Sequence, residues 1–325
     1  MELAGKNVLV TGGAGFIGST LVDLLLRLGS KVIVYDNFDD FYEGKQANIG
    51  HHLTDKGFRV VNGDILDFEH LEAASRGVDI VFHEAAQAGV RYCNEHLEKA
   101  NNVNVTGTLN VLLAAKKNHV KRLVYASSSS VYGKPVRVPM DEEHPQSPPN
   151  LYGSTKLAGE KYSLSFYRTF GLPVVCLRYF SVYGPRGRPD MVVSSFARSI
   201  ADGRRPRIFG DGSQSRDFTY VSDVVSATAM SAMSDNAVGQ VLNVGYGKDY
   251  SVNHVARKVA EYFRTDVVPE FLPGYEGDFP RTVCSNAKAL RLLGWRPNVS
   301  FDEGIRFYLD WFKSKPEPQT ASSPV

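Results

Sequence analysis

Residues Thr11–Thr20 read TGGAGFIGST and lie between an apolar run, NVLV (Asn7–Val10), and a helical pattern that begins near Phe16. Gly12, Gly15 and Gly18 stand with two residues between each pair, and Gly13 is a spare. In a strand–turn–helix, one glycine permits the tight turn. A second lets the backbone approach a pyrophosphate, and a third lets the helix pack close to the strand. The first turn of the helix then offers unpaired N–H groups and a partial positive charge to a phosphate. Gly12, Gly15, Phe16, Ile17 and Gly18 are therefore candidate phosphate contacts. The spacing alone predicts no more than a turn able to hold a phosphate, so its meaning depends on what surrounds it.

Outward from this loop, short β-branched runs alternate with longer helical patterns. Asn7–Val10, Lys31–Tyr35, Arg59–Val61, Ile80–His83, Arg122–Ala126 and Val174–Arg178 read as strands. They are nearly continuous in apolar residues, as expected of parallel strands covered on both faces. Ile17–Leu28, Thr106–Asn118 and Ser154–Thr169 read as helices between them. The series predicts an α/β fold, a Rossmann-type doubly wound parallel sheet with a smaller C-terminal α/β part. After Tyr179 the rhythm changes, with Pro185, Gly187, Pro189, Pro206, Gly210 and Gly212 as punctuation. The expected division is a nucleotide-binding domain over 1–181, a substrate-binding domain over 182–313 and a disordered tail over 314–325. Later segments are free to return to the first domain.

Asp36 ends the second strand in VIVYDNF, with Asn37 beside it. A carboxylate there can accept both hydroxyls of a ribose and would repel a 2′-phosphate, which favours NAD over NADP. Asp64 and Ile65, in VVNGDILD, end the third strand, where an adenine edge would lie; read alone, Asp64 is equally a turn residue. Tyr152 and Lys156, in LYGSTK, are four apart and share one helix face. A free phenol has a pKa near 10, and moving it to about 7 takes roughly 4 kcal/mol. A neighbouring ammonium and a nicotinamide cation both act in that direction. Such a tyrosine could take a proton from a sugar hydroxyl while hydride leaves the same carbon. Ser128, in ASSSSVYG at the carboxyl end of the fifth strand, could hydrogen-bond the same reacting oxygen.

Together these motifs resemble the extended short-chain dehydrogenase/reductase family, in its nucleotide-sugar epimerase/dehydratase branch, over nearly the whole chain. HEAAQAGVR, with Ala85, Ala86 and Gln87, resembles the segment that passes the cofactor. NVNVTGT, with Asn104, resembles the helix start near the nicotinamide, and LRYFSVYGPRGRPDM, with Tyr179, Ser181 and Arg188, the sixth strand and its loop. GDGSQSRDFTYVSDVV resembles the substrate-phosphate segment, with Arg216 on the diphosphate; GYEGDF and LGWRPNVSFDEGI resemble the C-terminal motif, with Asp278. The resemblance implies NAD as cofactor, a UDP-sugar substrate, and Ser128, Tyr152 and Lys156 as the catalytic set. Tyr152 would remove the C4 hydroxyl proton as hydride passes to NAD. The 4-keto sugar would turn on its diphosphate tether, and hydride would return to the opposite face.

The serine run separates activities within the branch. The 4,6-dehydratases carry Asp-Glu directly after the catalytic Ser/Thr, and UDP-glucuronate decarboxylases a glutamate just before Val-Tyr-Gly. Here those positions are Ser129 and Ser130, which leaves simple 4-epimerisation. Ser128, Ser129, Ser130 and Ser181 could hydrogen-bond a C6 carboxylate, so UDP-glucuronate is slightly favoured over UDP-glucose or UDP-N-acetylglucosamine. Ser181 stands where the best-known galactose epimerases have asparagine, and Tyr275 where they have arginine; Arg188 or Arg281 could supply that phosphate contact. Other readings are another nucleotide-sugar oxidoreductase or dehydratase and, last, a non-catalytic NAD sensor. Arg91 is a candidate substrate contact.

Bulk properties agree with this. The chain has 325 residues, 43% hydrophobic and 22% charged, as in ordinary globular proteins. A net charge of +2 gives no electrostatic case for nucleic acid or an anionic membrane. Cys93, Cys176 and Cys284 are too widely spaced for a metal pair and read as buried apolar residues in a reducing compartment. No metal site is expected. No apolar run reaches the ~20 residues of a membrane span, and the early first strand leaves no room for a signal peptide. The expectation is a cytoplasmic homodimer. His51 and His52 read as a solvated loop, and Glu160 and Lys161 as an exposed helix face.

Overall fold

The computed structural model describes residues 2–274 and 279–314. Among the described residues, twelve strands run in chain order. They are β1 (Asn7–Thr11), β2 (Lys31–Asp36), β3 (Phe58–Asn62), β4 (Ile80–His83), β5 (Arg122–Ser128), β6 (Val174–Tyr179), β7 (Ser181–Tyr183), β8 (Arg207–Phe209), β9 (Ser215–Tyr220), β10 (Val241–Val244), β11 (Asp249–Ser251) and β12 (Glu270–Leu272). Seven of them form a parallel sheet in the order β10-β6-β5-β4-β1-β2-β3. The six strands read from the sequence are all present, β4 with the bounds as read and the other five longer by one or two residues. Every residue of β5 and β6 is buried, which explains their nearly continuous apolar pattern.

The order reverses between β1 and β4, and there the crevice at the strand ends opens. The register aligns Thr11 with both Tyr35 and His83, and Ser128 with Tyr179. The carboxyl ends of β1, β2, β4, β5 and β6 therefore meet along one edge. The later part of the chain builds β11-β9-β7 and β12-β8, packed around Tyr183, Phe218, Phe301 and Tyr308. It also returns β10 to the large sheet and lays the Val221–Met233 helix against the Phe16–Arg27 helix. The final helix, Phe301–Ser314, runs one residue into the stretch read as tail; residues 315–325 lie outside the described residues. Among the described residues, no helix is long and apolar enough to cross a membrane.

The Leu151–Phe170 helix departs from the sequence reading. It is capped by Asn150, whose side chain accepts from the Gly153 N–H at 2.9 Å, and it ends at Gly171 in the left-handed conformation. Its buried stripe is small or polar, Gly153, Thr155, Lys156, Gly159, Glu160 and Ser163, until Phe166 near its end. A Cβ on Gly159 would stand 2.3 Å from the Tyr125 hydroxyl, so the glycine lets the helix lie directly on β5. Glu160, read as exposed, is fully buried. Arg178 donates to its two oxygens through Nε (2.9 Å) and Nη2 (2.6 Å), and the Ser127 hydroxyl donates at 2.9 Å. The guanidinium also donates to the Glu142 carbonyl at 3.1 Å and lies 4.6 Å over the Tyr132 ring. A helical pattern with charges on one face normally marks solvent; here the partner charge comes from β6, remote in sequence.

Removing one partner of such a pair strands the other charge. Glu160→Gln is expected to cost about 3–5 kcal/mol in urea unfolding, whereas Glu160→Leu combined with Arg178→Met should recover most of it. A loss below about 1 kcal/mol for the single variant would contradict this account of the helix.

Candidate active site

The glycine loop is shaped by close approach. Gly12 has φ +68°, and a Cβ there would come within 2.6 Å of the Ala85 nitrogen; a Cβ on Gly18 would come within 2.2 Å of the Gly12 carbonyl oxygen. Gly15 is the N-cap of the Phe16–Arg27 helix and has no side chain to cap that end; the Tyr42 hydroxyl stands against the Phe16 N–H instead. The first turn lines the crevice with N–H groups that have no carbonyl partner within the helix. Asp36 is buried at the crevice floor. Its carboxylate accepts from the Ala14 N–H (3.0 Å) and the Phe38 N–H (2.9 Å), so it braces the glycine loop as well as facing the cavity. Burial pushes its pKa up, and these two N–H groups and the Lys45 charge pull against that. Asp64 accepts from the Leu66 N–H at 2.8 Å and from the Asn37 amide at 2.9 Å. It is thus both the turn residue of one reading and the anchor of Asn37.

One cavity runs along this edge. It is lined by Gly12, Gly15, Phe16, Ile17, Gly18, Asp36, Asn37, Asp64, Ile65, Ala85, Ala86, Gln87, Tyr152, Lys156, Tyr179 and Arg188. Every candidate cofactor residue is therefore in its wall except Asn104, which lies behind it. The Asn104 side chain accepts from the Gln87 N–H (2.7 Å) and donates to the Gln87 carbonyl (2.9 Å) and to Thr155 (3.0 Å), clamping the post-β4 loop to the Leu151–Phe170 helix. Asn104 sits in a π-helical segment, Asn102–Gly107, an irregularity that hydrophobic periodicity cannot signal.

At the far end of the cavity lie Tyr152 and Lys156. Burial holds the Tyr152 pKa above its ordinary value, while a hydrogen bond with the Ser128 side chain and the Arg188 charge pull it down. The Ser128 oxygen also accepts from the Ser130 N–H at 3.1 Å, which fixes its direction. Lys156 is brought down to about 8 by burial, and its ammonium stands 4.6 Å from the centre of the Tyr125 ring. The expected pull of the lysine on the phenol does not prevail: burial outweighs the groups that draw the phenol down, Ser128 and Arg188. Beside Lys156, His83 is held neutral by burial, its pKa lowered to about 3, and its ring nitrogens bridge Thr11 (2.7 Å) and Thr108 (3.0 Å).

The candidate substrate residues are less closely gathered. Arg188 lines the cavity, bound to Asp190 at 2.9 Å. Ser129 and Ser130 form a short 3-10 turn after β5, and Ser181 opens β7. Arg216, on β9, donates to the Phe279 carbonyl at 2.7 Å. Arg91 is exposed, its guanidinium 5.1 Å over the Phe209 ring and outside the cavity wall. Asp278, with Tyr275, lies outside the described residues.

Sequence reasoning missed Glu84, Tyr42, Lys45 and Lys99, which also line the cavity. Glu84 had one usable cue, its place directly after a strand end. The lysines had none, because they reach the cavity from two short helices, Lys45–Ile49 and Leu97–Asn101, that meet only in the fold, both pairing with Asp39.

A model of the NAD dependent epimerase/dehydratase family matches residues 8–245. The chain belongs to that family. It is 35% identical over 318 residues to the UDP-glucuronate 4-epimerase of Thermodesulfobacterium geofontis, covering 95% of this chain and 97% of the relative. It is 36% identical over 314 residues to the UDP-glucose 4-epimerase of Mycolicibacterium smegmatis, covering 95% and 99%. The fold is similar to the crystal structure of the UDP-glucuronic acid 4-epimerase of Bacillus cereus in complex with UDP-glucuronic acid and NAD, with a TM-score of 0.91, 32% identity, and 94% and 99% of the two chains covered.

The cavity fits the cofactor of this epimerase/dehydratase family. Cβ atoms would fill the glycine cradle. The Gln87 side-chain nitrogen is buried with no hydrogen-bond partner, which a bound polar ligand would satisfy. Gly12→Ala should strain the positive φ and press on the loop after β4. Purified Gly12→Ala protein should hold at least about tenfold less acid-releasable NAD than the parent. Full retention would show that the close approach of these loops does not build the cofactor site.

Proposed function

We propose that this protein is a NAD-dependent UDP-sugar 4-epimerase, interconverting UDP-glucuronate and UDP-galacturonate through a transient 4-keto sugar. The observation that carries the reading is the placement of Tyr152, hydrogen-bonded with Ser128, on the same buried helix face as Lys156 in a cavity floored by the glycine cradle and Asp36. NAD, when bound, supplies the acceptor and donor of hydride. Gly12, Gly15, Phe16, Ile17 and Gly18 would hold its pyrophosphate, Asp36 a ribose, and Lys156 the second ribose.

Tyr152 takes the C4 hydroxyl proton and later returns it. Its elevated pKa means that the phenol keeps its proton until a positive charge arrives in the cavity, which couples proton removal to cofactor occupancy. Ser128 orients the reacting oxygen through the same hydroxyl that bonds Tyr152. Arg188 and Arg216 would grip the diphosphate, and Ser129, Ser130 and Ser181 would face the sugar. Serines at 129 and 130 leave no carboxylic acid to drive dehydration or decarboxylation.

Glucuronate is preferred because four serines offer donors to a C6 carboxylate. Relatives acting on glucuronate and on glucose are equally similar to this chain, which keeps UDP-glucose, and UDP-N-acetylglucosamine with it, as the second reading. The protein is read as a cytoplasmic homodimer. The partly exposed Leu113, Tyr162, Tyr167 and Phe170, on the Thr108–Lys117 and Leu151–Phe170 helices, offer an apolar face for pairing.

Purified protein incubated without added NAD should convert UDP-glucuronate to its 4-epimer faster than UDP-glucose or UDP-N-acetylglucosamine, resolved by NMR. No 4-epimer from any of the three would end the epimerase reading. Tyr152→Phe should lower kcat by about 10²–10⁴ while retaining NAD. Because the phenol must lose its proton, the rate should rise with pH. Ser128→Ala removes a bond that lowers the phenol's pKa, so the acid limb of its pH profile should move to higher pH.

A further inference from the structure

Glu84 is an acid that the proton transfer above does not use. It follows β4 directly and turns its side chain into the cavity beside Tyr152, Lys156 and Tyr179. Its Oε1 accepts from the Tyr179 hydroxyl at 2.9 Å, and that hydroxyl shares a second hydrogen bond of 2.8 Å with Thr228. The carboxyl is thus held from β6 and from the Val221–Met233 helix at once. Its charge acts on Lys156, and it raises the pKa of Tyr152. Burial pushes its own pKa up to about 7, against the pull of the Tyr179 hydrogen bond and the Lys156 ammonium. A cationic ligand in the cavity would draw it further toward the carboxylate form. Packing alone does not call for an acid here, since an apolar residue would avoid the desolvation cost.

We infer that Glu84 tunes the redox balance of the bound cofactor: its carboxylate, anchored by Tyr179 and Thr228, favours the oxidised, cationic nicotinamide over the reduced, neutral one. This rests on the NAD-epimerase reading of the cavity. In that reaction the C4–H bond breaks, two electrons leave with the hydrogen as hydride, and the hydroxyl proton goes to Tyr152. The return step reverses each transfer, so no outside oxidant is needed. The ring loses one positive charge on the outward step and regains it on the return. A fixed negative charge in the same cavity therefore opposes the outward step and assists the return. The consequence is a cofactor that rests as NAD⁺ and a keto sugar that is reduced again before it escapes. Glu84 acts here as a positioning residue for charge, with no proton transfer of its own.

The test uses the holoenzyme and its Glu84→Gln and Glu84→Met variants. Acid release measures total NAD(H), and an anaerobic redox titration with mediator dyes, followed at 340 nm, gives the midpoint of the bound cofactor. Both variants should raise the midpoint by at least about 30 mV, a tenfold shift toward the reduced form for a two-electron couple. During turnover, a larger fraction of their cofactor should stand reduced. A midpoint unchanged in a cofactor-loaded variant would overturn the inference and leave the epimerase reading intact. Absence of releasable NAD(H) from the parent protein would instead overturn the reading of the cavity, and this inference with it.

Discussion

The buried pair of Glu160 and Arg178 is the contact on which the site depends. Glu160 lies one helical turn after Lys156 and two after Tyr152, and it holds Ser127 on β5 and Arg178 on β6. The next residues along those strands are Ser128 and Tyr179, aligned with each other across the ladder. One carboxylate thereby sets the axial position of the helix against both strand ends. If the helix slid by a turn, Tyr152 would leave Ser128 and Lys156 would leave the cavity. An apolar face could pack in several neighbouring registers, whereas a bidentate guanidinium–carboxylate pair with a third hydroxyl donor has one geometry. The desolvation cost of burying both charges is accepted where position matters more than stability.

The same trade runs through the cavity. Asp36, Glu84, Tyr152 and Lys156 are all shifted chiefly by burial, each away from its charged form. Such a set is poised: a positive charge entering the cavity would stabilise every anionic form at once, the Tyr152 phenolate included. Asp36 illustrates the economy of the site. Its carboxylate accepts the Ala14 N–H from within the glycine loop, so the residue proposed to hold a ribose also shapes the loop proposed to hold the phosphates.

Much of this was legible in the residues. The glycine spacing between NVLV and the Phe16 helix, the apolar strands and Asp36 at the end of β2 were sufficient for the doubly wound sheet and its dinucleotide edge. These features are local: turn geometry, helix termini and strand burial are written in neighbouring residues. Tyr152 and Lys156 were legible for the same reason, being one turn apart on one helix. Glu160 was misread because its helix buries a polar stripe, and periodicity reports which residues share a face but not what that face meets.

What the sequence by itself determined was the set of elements and the candidate residues at the strand ends. Only the tertiary structure decided which of those residues share one cavity. It placed Asn104 behind the wall as a clamp, left Arg91 outside, and brought in Lys45, Lys99 and Glu84. The physical reason is that burial and charge pairing depend on contacts between segments far apart in the chain. Asp39 gathers two lysines from separate short helices, and Glu84 meets Tyr179 and Thr228 only once β4, β6 and the Val221–Met233 helix have packed together.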